Sequence, residues 1–261
     1  MDHRQAGRYW EGNAFAWTRL SRQGWDVYRD AVNTPGFLDL LPDVNGKKGL
    51  DVGCGEGHNT RLFAERGAQM FAIDVAPTFV RLAAEMESKE GVAIRYAVAS
   101  ALALPFAPGQ FDFATAVMSL MDLPDHKLAL KEIQRVLRVG GFLQFSIMHP
   151  CFFPPHRQLL RTPQGKAYAV EVGQYFERVD GRIERWLFSA APQEAKAGLK
   201  PFEIPVFHRT LAEWLNGVTQ AGFVLERVAE PRADDDTARR VPAVEDTRVV
   251  ANFLHVRCRK G

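Results

Sequence analysis

The part of the sequence best suited to hold a small ligand is a run of closely spaced glycines. Residues 49–57 have the sequence GLDVGCGEG, and Gly53, Gly55 and Gly57 stand between an apolar run and a helical pattern. Glycine adopts a positive φ at little cost and lets the backbone approach a ligand closely. The first turn of the following helix adds N–H groups that have no partner within the helix. The segment therefore predicts a tight ligand-binding turn between a strand and a helix.

Two aspartates indicate which ligand this turn would hold. Asp51 precedes the turn, where a carboxylate repels a pyrophosphate and attracts a cation. S-adenosylmethionine carries a sulfonium and an ammonium and has no phosphate, so Asp51 favours this cofactor over a nicotinamide dinucleotide. The dinucleotide-binding fingerprint has its last glycine at the position that His58 occupies here, which also weakens the case for a nicotinamide dinucleotide. Asp74, at the end of the next apolar run, can accept hydrogen bonds from both ribose hydroxyls.

Two further side chains are candidates for contact with a methyl acceptor. Asp122 follows the fourth predicted strand and His149 follows the fifth, and open α/β sheets bind ligands at the carboxyl ends of their strands. His149 is the candidate general base, because imidazole has an ordinary pKa near 6.5. Asp122 is the candidate for binding an acceptor amine. Transfer from a sulfonium mainly requires alignment and exclusion of water, so no catalytic triad is needed.

The elements that must position these groups alternate between strand and helix. The predicted strands are 47–52, 69–74, 92–97, 111–118, 142–148, 223–228 and 249–256, and the predicted helices are 59–66, 77–88, 126–138 and 210–220. This alternation predicts an α/β fold with a doubly wound, mostly parallel sheet. We divide this single domain into a helical cap (1–45), a cofactor-binding core (46–149), an inserted lid or substrate region (150–208) and the C-terminal part of the sheet (209–261).

The insertion interrupts the alternation with prolines, glycines and aromatic residues. Asp180 and Gly181 separate two β-like pieces, 173–179 and 182–188, and this dipeptide predicts a hairpin turn. Aromatic side chains of the cap and the insertion, such as Trp17 and Trp186, are candidates for a pocket wall.

Four ordered segments resemble the motifs of the class I S-adenosylmethionine-dependent methyltransferases. They are residues 49–57, 71–74, 99–112 and 135–142. The resemblance implies a Rossmann-like sheet of seven strands with the last one antiparallel, S-adenosylmethionine as cofactor, and small-molecule methylation. Ser100 stands where the family often has an acid that binds the adenine amino group. The predicted cofactor-binding residues are Asp51, Gly53, Cys54, Gly55, Asp74, Val75, Ser100, Ala101, Met118 and Tyr28.

Composition bounds the partners of the chain. Lysines and arginines number 33 against 31 aspartates and glutamates, a formal net charge of +2, so we expect no nucleic-acid groove. The sequence has no run of about 18 apolar residues, so we expect no membrane span. The spacing of the histidines matches no common metal-binding pattern, so we expect no metal site. Three widely separated cysteines suit the cytoplasm. We expect a small-molecule acceptor and a monomer or homodimer. A non-catalytic S-adenosylmethionine-binding module and a nicotinamide-dependent oxidoreductase are the alternatives.

Overall fold

The computed structural model describes residues 1–261, apart from the side chain of Glu90. The strands are β1 (Lys48–Val52), β2 (Gln69–Asp74), β3 (Arg95–Val98), β4 (Phe111–Val117), β5 (Leu137–Met148), β6 (His156–Arg161), β7 (Ala167–Gly173), β8 (Val179–Trp186), β9 (Phe202–His208), β10 (Phe223–Ala229) and β11 (Phe253–Lys260). The helices are α1 (His3–Arg22), α2 (Thr34–Leu40), α3 (His58–Glu65), α4 (Pro77–Glu90), α5 (His126–Val136), α6 (Gln193–Lys196), α7 (Leu211–Gln220) and α8 (Asp235–Arg240). Shorter turns are a π-helical turn, Arg29–Asn33, and two 3₁₀ turns, Leu120–Asp122 and Pro242–Arg248.

Seven strands form the central sheet in the order β3-β2-β1-β4-β5-β11-β10. The first five pair in parallel, and β11 pairs antiparallel with both β5 and β10. The central strands are buried on both faces, with side chains such as Leu50, Ala114 and Phe145 fully buried, which is typical of a sheet covered by helices on both sides. The predicted doubly wound sheet of seven strands, with the last one antiparallel, is confirmed.

Local predictions were wrong in the insertion and at several element bounds. Asp180 and Gly181 form no hairpin turn; they lie inside β8, where the pairing with β9 shifts register between Asp180 and Arg182. Gly181 has a φ of +87°, so the glycine permits a β-bulge instead of a chain reversal. The helix predicted to end at residue 138 ends at Val136, and β5 begins at Leu137 instead of residue 142. The last strand, predicted over 249–256, spans Phe253–Lys260.

The helix α1 joins the inserted region to the core. Asn13 makes two hydrogen bonds to the backbone of β9: its Nδ2 donates to the Glu203 carbonyl, and its Oδ1 accepts from the Glu203 N–H, both at 2.9 Å. Two residues earlier in the same helix, the Glu11 carboxylate accepts from the N–H and the hydroxyl of Thr78, in the first turn of α4. The helix therefore holds the β8–β9 pair above the carboxyl edge of the sheet.

Candidate functional site

A cavity of about 900 Å³ lies at the carboxyl edge of the parallel strands. The ends of β1, β2, β4 and β5 contribute to its floor, and α1, β8 and β9 contribute to its walls. Pockets that hold small molecules range from about 300 to 1,000 Å³. The cavity is thus large enough for a cofactor and a second small molecule.

The glycine turn forms one end of the cavity. The φ angles of Gly53, Gly55 and Gly57 are +75°, +55° and +85°, all in the left-handed region that favours glycine. A side chain at Gly53 would collide with Ser119, whereas a Cβ at Gly55 would have no neighbour within 4 Å. Because Gly55 also lines the cavity, its open side is the space that a ligand can fill.

Asp74 ties the end of β2 to this turn. Its Oδ2 accepts from the Gly55 N–H and its Oδ1 from the Ala76 N–H, each at 2.9 Å. Burial raises the pKa of Asp74 to about 6, against the lowering effect of these backbone N–H groups. The carboxylate lines the cavity, and each oxygen has a further lone pair for a ligand hydroxyl.

The end of β4 carries a strained residue beside the turn. Met118 has a φ of +55°, which is uncommon outside glycine and often marks a functional site. Its N–H donates to the carbonyl and the hydroxyl of Ser146 on β5. The next residue, Ser119, donates its hydroxyl to the Val52 carbonyl at 2.5 Å. Met118 is thereby fixed in the cavity wall next to β1.

The other predicted contacts of the cofactor also line the cavity: Cys54, Val75, Ser100, Ala101 and Tyr28. The Ser100 hydroxyl accepts from the Leu102 N–H at 3.2 Å. The Tyr28 hydroxyl lies 2.6 Å from the Ala243 carbonyl oxygen and 3.0 Å from Asp246 Oδ1, so this side chain is anchored to the C-terminal part of the chain.

Asp51 does not reach the cavity. Its two carboxylate oxygens accept from the hydroxyls of Thr60 on α3 and Thr115 on β4, at 2.5 and 2.9 Å. Only 2% of the residue is exposed, and burial raises its pKa to about 6. The predicted contact with the cofactor is corrected accordingly: Asp51 fastens the strand beneath the turn to its neighbours.

His149 also lies outside the cavity lining, although its neighbours Met148 and Pro150 belong to it. Nε2 lies 2.9 Å from Glu230 Oε1, and Nδ1 accepts from the Cys151 N–H. Burial lowers the pKa of His149, and the Glu230 carboxylate opposes that shift. Both ring nitrogens have protein partners, so the geometry does not support the predicted general base here.

Asp122 is the predicted acceptor-side residue that does line the cavity. Burial raises the pKa of its carboxyl well above the ordinary value, and the nearby Arg209 guanidinium opposes this. No described residue donates a hydrogen bond to the carboxylate. Arg209 instead holds the surrounding backbone, donating to the carbonyls of Leu123 and Pro124 at 2.6 and 2.9 Å.

We expect Arg209→Met to lower the free energy of unfolding by about 2–4 kcal/mol, because the partly buried carbonyls of Leu123 and Pro124 lose their charged donor. The guanidinium is buried and packs over the rings of Phe207 and Trp214. Urea unfolding measures the change. The matched control is Arg185→Met, since Arg185 is an exposed arginine paired with Glu203; its effect should stay within about 0.5 kcal/mol. Equal losses in the two variants would contradict this role.

Several cavity residues were missed from the sequence. Glu56, inside the glycine motif, is 4% exposed and accepts from Arg22 Nε at 2.8 Å. Arg29, on the π-helical turn, lies 3.9 Å from the same carboxylate. His208 at the end of β9 also lines the cavity. Glu56 was discoverable from its place in the motif, whereas Arg29 and His208 depend on contacts between distant segments.

One part of the cavity is an aromatic chamber. We use this name for the wall formed by Trp17, Trp186, Phe188, Ile204 and Val206. The Trp17 ring lies edge-on to Trp186 and Phe188, with centroid separations of 5.7 and 4.9 Å. Such packing makes this wall apolar and rigid.

Comparison with known proteins gives consistent matches. A family model described as a methyltransferase domain matches residues 50–145. A ubiquinone biosynthesis O-methyltransferase of Xanthomonas axonopodis pv. citri is 33% identical over 238 residues, covering 87% of this chain and 86% of that protein. A demethylmenaquinone methyltransferase of Thermus thermophilus is 33% identical over 144 residues, which cover 54% of this chain and 60% of that protein.

Solved structures show the same fold. An S-adenosylmethionine-dependent methyltransferase from Mesorhizobium loti superposes with a TM-score of 0.70 at 23% identity, covering 87% of this chain and 96% of that one. A structure from Listeria monocytogenes, titled a putative S-adenosylmethionine dependent methyltransferase, superposes with a TM-score of 0.70 at 20% identity. The match covers 88% of this chain and 96% of that one. Within the described residues, no helix has the length and apolar character needed to traverse a bilayer.

Proposed function

The chain belongs to the class I S-adenosylmethionine-dependent methyltransferases, and on that premise we propose that it methylates an oxygen atom of a small, largely apolar aromatic acceptor. The observation that carries the proposal is the single cavity in which the glycine turn and the aromatic chamber meet. The named relatives support the same class, since one is a ubiquinone biosynthesis O-methyltransferase and another a demethylmenaquinone methyltransferase.

The family implies S-adenosylmethionine as the cofactor, and the residues at the glycine turn fit it. The free space above Gly55 would accommodate the aminoacyl side, and Asp74 would accept from the ribose hydroxyls. Ser100, Ala101 and Val75 would contact the adenine. When bound, the cofactor supplies an activated methyl group; the protein aligns the acceptor and excludes water.

The acceptor side favours a planar, apolar molecule with one polar group. Phe188, Ile204 and Val206 offer side chains without hydrogen-bonding groups, while Arg182 and Glu184 of β8 line the cavity beside them. Asp122, on the 3₁₀ turn after β4, and His208, at the end of β9, line the same cavity. A ring stacked in the chamber would present its reactive oxygen there. Since no described residue donates a hydrogen bond to the Asp122 carboxyl group, this side chain also suits a cationic amine, which is the second candidate acceptor class.

We expect affinity for S-adenosylmethionine to fall about tenfold between about pH 7 and pH 5. The pKa of Asp74 is about 6, so the carboxylate that accepts both ribose hydroxyls becomes protonated as the pH falls through that value. Calorimetry across this range measures the effect. Asp26 and Asp51 also have pKa values raised to about 6, so Asp74→Asn isolates the contribution of Asp74. A variant that keeps the full pH dependence would contradict the assignment.

The proposed function is tested with methyl-labelled S-adenosylmethionine and a panel of phenols, catechols and arylalkylamines of similar size. Mass spectrometry of the products identifies both the methylated molecule and the methylated atom. Label on a phenolic oxygen supports the proposal. Label confined to amines favours the second class, and no transfer to either group would refute both.

A further inference from the structure

The inner face of β9 brings a histidine to the boundary between the glycine turn and the aromatic chamber. Ile204, Val206, Phe207 and His208 of this strand all line the cavity. The first two belong to the chamber, and His208 ends the strand. The following residue, Arg209, binds the backbone that flanks Asp122. An acceptor in the chamber would therefore meet His208 on the side that faces the cofactor.

The hydrogen bond of the ring fixes its tautomer. Nε2 of His208 lies 2.7 Å from the carbonyl oxygen of Tyr175. A carbonyl oxygen can only accept, so Nε2 carries the hydrogen of the neutral ring. Nδ1 then has the lone pair, and no described residue donates to it. The Tyr175 ring packs edge-on against the imidazole at a centroid separation of 5.9 Å, which restricts the orientation of His208.

We propose that His208 is the general base of this enzyme and accepts the proton of the acceptor's hydroxyl group on Nδ1. The inference rests on the proposed function, because a neutral hydroxyl must lose its proton when it is methylated. One O–H bond and one S–C bond break, and one N–H bond and one O–C bond form. The positive charge passes from sulfur to the imidazolium, whose Nε2–H remains bonded to the Tyr175 carbonyl. Product release then returns the proton to water.

Two other groups could be considered for the same step. His149 is excluded by its position, since both of its nitrogens are engaged and it does not line the cavity. Asp122 does line the cavity and lies on the 3₁₀ turn that contacts β9. Asp122 is therefore the competitor that an experiment must separate from His208.

The test uses 4-nitrophenol with S-adenosylhomocysteine, so that ionisation is observed without turnover. This phenol holds its proton about as tightly as an imidazole does, and its anion has a distinct absorption band. His208→Gln retains an N–H donor for the Tyr175 carbonyl and lacks a basic nitrogen. His156→Gln is the matched control, because His156 is an exposed histidine paired with Glu171 on the β6–β7 hairpin. Asp122→Asn tests the competitor.

At a pH where the free phenol is protonated, we expect the anion band of the bound probe in the wild type and in His156→Gln, and its loss in His208→Gln. Turnover of a phenolic acceptor should fall about 10²-fold or more in His208→Gln. A band that persists in His208→Gln, or that disappears only in Asp122→Asn, overturns the inference. Failure of the wild type to bind the phenol counts instead against the proposed acceptor class.

Discussion

Replacing Gly55 with valine is expected to abolish binding of S-adenosylmethionine while the chain still folds. The backbone φ is +55°, and a Cβ there meets no protein atom within 4 Å, so the branched side chain would occupy the ligand space. A non-glycine residue in this conformation costs about 1–2 kcal/mol, which is less than the usual stability of a domain, about 5–15 kcal/mol. Calorimetry should show affinity reduced about 100-fold or more, equivalent to about 2.7 kcal/mol.

Gly165→Val is the matched control for that variant. Gly165 has a φ of +85° and the same free space around its Cβ position, but it lies in the turn between β6 and β7. The control therefore has comparable backbone strain without an effect on the cavity. Both variants should show similar circular dichroism and similar losses in melting temperature. Normal cofactor binding by Gly55→Val would show that this turn does not face the ligand.

The second large effect is expected from Asp74→Ala, which should lower affinity for S-adenosylmethionine at least tenfold. Two hydrogen bonds from the ribose to a charged carboxylate would be lost, each worth about 1.5–3 kcal/mol. The turn would also loosen, because Asp74 accepts from the N–H groups of Gly55 and Ala76. Both consequences act in the same direction on affinity, and calorimetry measures their sum.

Asp112→Ala separates this effect from a general loss of stability. Asp112 likewise accepts from a backbone N–H, that of Lys48, and pairs with Arg138 at the opposite end of the strands. It should reduce stability and leave cofactor affinity within about twofold, since the two ends of the sheet are independent. If Asp74→Ala bound the cofactor as tightly as Asp112→Ala, the ribose assignment would be wrong.

Features encoded within a few consecutive residues could be predicted from the sequence. The strands of the core alternate with helices, and each ends at a local signal such as the glycines of residues 53–57. The placement of Gly55 and Asp74 in one cavity follows from that topology, because adjacent parallel strands end at the same edge. The predicted fold class was correct for this reason.

Features that depend on distant partners could not be predicted. Asp51 accepts a hydrogen bond from Thr115, 64 positions away in the sequence. His149 forms a hydrogen bond with Glu230, 81 positions away. The same limit applies to the insertion, where an Asp-Gly pair permits either a turn or a bulge. Only the pairing of β8 with β9 shows that His208 reaches the cavity, and nothing local to residues 202–208 indicates that pairing.

The most direct test of the cofactor site is a crystal structure with S-adenosylhomocysteine. We expect the homocysteine portion to lie against residues 53–55 and both ribose hydroxyls to lie within hydrogen-bonding distance of the Asp74 carboxylate. A nucleoside bound elsewhere in the cavity, or a ribose without contact to Asp74, would contradict the central claim.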